Sequence, residues 1–130
     1  YLKGLRAALQ TVMMHHPVYS TAEGRNNPLV WLAFHSAMRE ADVVFAGHDH
    51  NYARRTEYYK ARFWKKGEPT IFIGTNASTK KYPVKENHTY EASYVDGPVY
   101  EYIFVTPTAL NISTYNLYSG DVIDEVEIIR

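Results

Sequence analysis

A mixed α/β fold, with helices on one face of a sheet and an antiparallel meander at its end, is predicted by three features of this sequence. Short apolar runs at Thr11–Met14, Asp42–Ala46 and Thr70–Gly74 have the length and β-branched content of buried strands. A helical segment, Pro28 to Arg39, separates the first two, as in a strand–helix–strand unit. The last third alternates apolar and polar residues between turn signals.

In chain order, Leu2, Leu5 and Leu9 recur at helical spacing with Lys3 and Arg6 off that stripe, which predicts a helix over Tyr1 to Gln10 packed on the sheet. The strand Thr11–Met14 follows, then a loop from Pro17 to Asn27, long for a simple connection and therefore placed to touch a ligand. Asn27-Pro28 supplies an N-cap and a proline at the first helical position. Leu29, Val30, Leu32, Ala33, Phe34, Ala37 and Met38 predict a helix buried over much of its girth, with His35 as a structural partner. Tyr52 to Tyr59 reads as a polar, aromatic strand, and Lys65 to Pro69 as a turn. Residues 75–97 read as a long loop carrying Lys80, Lys81 and a surface histidine, His88. Val99–Val105, Leu110–Tyr115 and Val122–Ile129 form the meander, with Gly120 in the last hairpin. Asn76, Asn87 and Asn111 head N-x-S/T triplets, Asn111 in mid-strand, where an acceptor is poorly placed.

Composition narrows the function classes. The chain has 130 residues, 45% apolar, with a formal net charge of zero, enough for one domain with a core and without the basic field of a nucleic-acid binder. It has no cysteine, which rules out disulfides and thiolate metal sites, and no apolar run long enough to span a membrane as a helix.

The chemistry concentrates at two strand tips. Gly47 ends an apolar strand and is followed by His48-Asp49-His50. In extended backbone residues i and i+2 point the same way, so the two imidazoles project together, and Asp49 points away as a hydrogen-bonding support. Alone, the pair is equally compatible with an exposed polar loop. Met13-Met14-His15-His16-Pro17 repeats the pattern: strand, histidine at the tip, then a proline that stops the ladder. Two such strands joined through one helix bring several imidazoles to one sheet edge, the edge where open α/β sheets bind ligands. Arg25, in the intervening loop, has the planar fork that suits a phosphate oxygen, although such arginines are commonly solvated.

His15-His16-Pro17-Val18-Tyr19 and Gly47-His48-Asp49-His50-Asn51-Tyr52-Ala53-Arg54 resemble the H-x-P-x-Y and G-H-x-H-x-Y-x-R segments of calcineurin-like metallophosphoesterases, purple acid phosphatase-like enzymes in particular. The resemblance implies that His15 and His48 bind one metal ion and His50 its neighbour, that His16 occupies a variable position, and that Tyr52 and Arg54 pack around the loop. It also implies a two-sheet β-sandwich flanked by helices. The D-x-H and G-N-H segments that complete such a centre do not occur here, so residues 1–130 are expected to be a single partial domain, the carboxy-terminal half of the catalytic one. On this reading the parent is a phosphoric ester hydrolase with two divalent or mixed-valence ions (Fe, Zn or Mn). The missing amino-terminal half is then a partner, along with a phosphate ester substrate, and an extracytoplasmic location follows from the resemblance alone.

Three imidazoles bring no negative charge to offset two divalent ions held close together. The chain by itself is therefore expected to hold at most one weakly bound ion and to be inactive. Two other classes are open: a half-domain scaffold that binds partners without catalysis, and a mononuclear zinc hydrolase using His15, His48 and His50 with Glu23 as the carboxylate base.

Overall fold

The structure, a computed structural model, describes residues 9–59, 69–86 and 88–129. The order of elements is β1 (Thr11–Met14), α1 (Pro28–Met38), β2 (Val43–Ala46), β3 (Tyr52–Glu57), β4 (Thr70–Gly74), β5 (Ala92–Tyr94), β6 (Val99–Val105), β7 (Ala109–Asn116) and β8 (Val122–Ile129). These form a mixed five-stranded sheet, ordered β1-β2-β4-β3-β5, and an antiparallel three-stranded sheet, β6-β7-β8. The expected α/β class and terminal meander are both present.

Side-chain alternation explains the layers. On β2, Val43 and Phe45 join Tyr52, Ile73, Val99, Leu110, Ile112 and Ile128 in a core made by both sheets. Val44, pointing the other way, packs with Phe72, Val18, Ala41 and Met38 of α1. The β1–α1–β2 unit is parallel, Thr11 pairing with Val43 and Met14 with Ala46, so both strands end at the same edge.

Across the two sheets, Tyr52 and Arg54 of β3 close on Asp124 of β8. The Tyr52 phenol donates to Asp124 Oδ2 at 2.7 Å, and Arg54 donates through Nε and Nη2 to the two carboxylate oxygens at 2.5 and 3.1 Å. The two motif residues thus link the two sheets of the sandwich.

Three expectations need correction. Helix α1 has the predicted N-cap, Asn27 Oδ1 accepting from the Val30 N–H at 3.2 Å, but it is not buried over its girth. Leu29, Leu32 and Phe34 are exposed and Met38 is its buried residue, because among the described residues only one side of the helix meets the sheet. The strand expected to reach Tyr59 ends at Glu57. The long loop contains β5, which pairs antiparallel with β3 through Tyr52–Tyr94 and its neighbours. His35 is the structural partner expected, stacked on Trp31 with its Nδ1 2.8 Å from the Trp31 carbonyl. The predicted helix over 1–10, apart from Leu9 and Gln10, most of the 65–69 turn, and Asn87 lie outside the described residues.

Candidate metal centre

Past the ends of β1 and β2 the chain leaves extended geometry, and this decides which histidines meet. The Asp49 N–H donates to the Gly47 carbonyl at 2.8 Å, closing a three-residue turn around His48. His48 has φ +69° and His50 φ +53°, a left-handed conformation uncommon for residues with a β-carbon and found where surrounding contacts enforce it. The expected i, i+2 projection of His48 and His50 therefore does not form.

Asp49 is what enforces the turn. Its side chain is buried, and Oδ2 accepts from Ser20 Oγ at 2.8 Å, from the Thr21 N–H at 2.6 Å and from the Ala22 N–H at 3.2 Å. Thr21 Oγ1 donates to Asn51 Oδ1 at 2.6 Å, and Lys85 Nζ donates to the Ser20 carbonyl at 2.7 Å. The loops after β1, β2 and β4 are thereby bound into one edge.

On that edge His15, His16 and His48 converge. Each offers a ring nitrogen, and the nitrogens all lie within 4.8 Å of one another. Ring centroids are 4.0 Å apart for His16 and His48, 5.1 Å for His15 and His16, and 5.4 Å for His15 and His48. Both residues of the His15-His16 pair follow the end of β1, so adjacent side chains escape the strand's alternation. Gly47 lies against His15: a β-carbon there would make ordinary van der Waals contact with the ring, 3.6 Å from Nδ1. Burial, aided by the Arg25 and His16 charges, holds the His48 imidazole below its ordinary range and favours the neutral form that ligates metal.

His50 stands apart from this group. Its ring packs edge-on against Tyr82, centroids 5.5 Å apart, and its buried Nδ1 has no hydrogen-bond partner. Arg25 comes directly to the cluster, with Nη2 2.8 Å from His48 Nε2, 3.3 Å from His48 Nδ1 and 3.1 Å from the His48 carbonyl. Its guanidinium lies over the Tyr82 ring at 4.5 Å. Glu23 is exposed and, electrostatically, neighbours Lys85 and Tyr90.

Among the described residues, His15, His16 and His48 form a donor set that could hold an ion of the kind that takes imidazole. Asp49, the carboxylate between the motif histidines, is committed to Ser20, Thr21 and Ala22. The adjacency of His15 and His16 was the available sequence signal for His16. Nothing local marked Ser20, Thr21 or Lys85, whose roles depend on contacts 28 to 65 residues away.

No family model and no curated protein matches the chain. Among solved structures it is similar to a single mutant of Vps29 from Entamoeba histolytica, at 16% identity and a TM-score of 0.42 over 90% of this chain and 53% of that one. A double mutant of the same protein gives 16% identity and a TM-score of 0.39 over 84% and 50%. The chain thus spans about half the length of those structures.

Proposed function

We propose that this chain is a metal-binding half-domain of metallophosphoesterase type, and that it holds one ion on His15, His16 and His48 without turning over substrate. The convergence of three ring nitrogens within 4.8 Å carries the reading. In a longer parent, the motif resemblance makes His15, His48 and His50 ligands of a dinuclear centre for phosphate ester hydrolysis. The ions would supply charge neutralisation and Lewis acidity toward phosphate oxygens. What this chain contributes is a rigid edge, a cluster of imidazoles and, in Arg25, a cation that can face an anionic substrate. The carboxylate needed to hold two cations close together is not supplied by Asp49, which is buried beneath the loops with its Oδ2 bonded to Ser20, Thr21 and Ala22.

A test is release of nitrophenol from an aryl phosphate by the purified chain with Zn²⁺, Mn²⁺ or Fe²⁺ added. One bound ion and no turnover is expected, with robust turnover by the longer parent that is lost in His48→Ala. Multiple turnover by the chain alone would overturn the reading.

A non-catalytic scaffold is the second reading, favoured by the apolar side chains that α1 and β6 expose: Leu29, Leu32 and Phe34 on the helix, Tyr102 and Phe104 on the strand. Surfaces of this kind mark interfaces. An inactive longer parent would put this reading first.

A further inference from the structure

We infer that Arg25 is a displaceable competitor for the metal site, a side chain with two seats, of which one blocks His48 and the other frees it. The inference rests on the three-histidine reading above and adds a regulator to it.

The blocking seat is the one observed. Arg25 Nη2 lies 3.3 Å from His48 Nδ1 and 2.8 Å from His48 Nε2, so a single guanidinium nitrogen covers the ring edge that carries both. An imidazole ligates through a lone pair on one of those atoms. In the tautomer with Nδ1 protonated, the Nε2 lone pair faces a cation and a donor N–H at 2.8 Å. A divalent ion approaching His48 meets a fixed positive charge as well as an occupied acceptor.

The freeing seat is marked by two unsatisfied atoms. Arg25 Nε and Asp49 Oδ1 are both buried and neither has a hydrogen-bond partner. They are 3.7 Å apart, outside hydrogen-bond range, although Asp49 is fully buried and carries an opposite charge. Unpartnered buried groups of this kind are costly, and a charge-assisted bond between them would satisfy both. Closing it takes a shift of under ~1 Å at Nε, given an ordinary N–H···O length. Because the guanidinium is a rigid plane, movement of Nε onto Asp49 carries Nη2 with it and loosens its hold on His48. Metal binding and the Arg25–Asp49 bond would then favour one another, a coupling between neighbouring events rather than a change of fold.

The experiment is a titration of the metal-free chain with Zn²⁺, followed by calorimetry, in wild type, Arg25→Gln and Arg25→Gln/His48→Ala. Arg25→Gln removes the charge and should bind Zn²⁺ roughly tenfold or more tightly than wild type, the size of one charge-assisted hydrogen bond. The double variant should lose that gain. Equal affinity in wild type and Arg25→Gln, with binding still dependent on His48, overturns the two-seat inference and leaves the histidine site standing. Binding indifferent to His48, or absent throughout, overturns both. If Arg25→Gln fails to fold, the wild type answers the question. The Arg25 Nε–H resonance in a nitrogen-edited NMR spectrum should move as Zn²⁺ is added, and an unmoved resonance overturns the inference.

Discussion

The phenol of Tyr52 and the carboxylate of Asp124, 72 residues apart, meet across the two sheets at 2.7 Å, beside the Arg54 fork on the same carboxylate. This cluster fixes how the meander sits on the sheet that carries the histidine edge. Arg54 also reaches Glu91, at 2.7 Å, so it ties the segment before β5 to the same joint.

Removing parts of that joint should have graded effects. Tyr52→Phe deletes one hydrogen bond and should cost about 1 kcal/mol. Arg54→Ala leaves the Asp124 carboxylate largely buried without its cation and should cost roughly 3 kcal/mol. Urea unfolding of the two variants measures both, and equal losses would contradict the assignment.

The pH dependence follows from Asp124. Burial alone would raise its carboxyl, but the hydrogen bonds from Arg54 and Tyr52, with the Arg54 charge, outweigh burial and hold it below its ordinary range. A depressed carboxylate contributes stability that is present above the unfolded value, near ~3.9, and is lost as pH falls through the folded one. Stability should therefore drop below about pH 4, and the drop should be smaller in Asp124→Asn. Denaturation midpoints between pH 2 and pH 7 test this.

Glu101 behaves in the opposite sense. Its side chain on β6 has a buried Oε1 without a partner, and burial raises its carboxyl above the ordinary range. For a raised acid, stability is present below the unfolded value and is lost as pH rises through the folded one. Glu101→Gln should stabilise the fold at pH 7 by about 1 kcal/mol, with little gain near pH 3. Thermal unfolding at the two pH values checks the sign.

The exposed face of α1 gives a prediction about solubility. Leu29 and Leu32 are 77% and 67% exposed, so Leu29→Glu and Leu32→Glu should change stability by no more than about 0.5 kcal/mol while reducing self-association. Light scattering together with urea unfolding separates the two effects.

Strands were legible in the sequence wherever burial wrote a pattern. β4 and β6 occupy the predicted residues, and β8 likewise, because alternation or a β-branched run reports a buried face directly. β5 was not legible: Ala92–Tyr94 is too short for periodicity, and its place is set by pairing with β3. The girth of α1 was misread because apolar composition records what a helix is built to meet, and the described residues cover one side of it. At the site, the motifs brought His15 and His48 to one edge. His16 and His50 exchanged expected places because the turn at His48 and the end of β1 break the alternation on which spacing arguments depend.

The most direct measurement of the central claim is Zn²⁺ stoichiometry by equilibrium dialysis for wild type, His16→Ala and His50→Ala. The account predicts one ion per chain in the wild type, lost in His16→Ala and kept in His50→Ala. Two tightly held ions, or one that survives His16→Ala and disappears with His50→Ala, would contradict it.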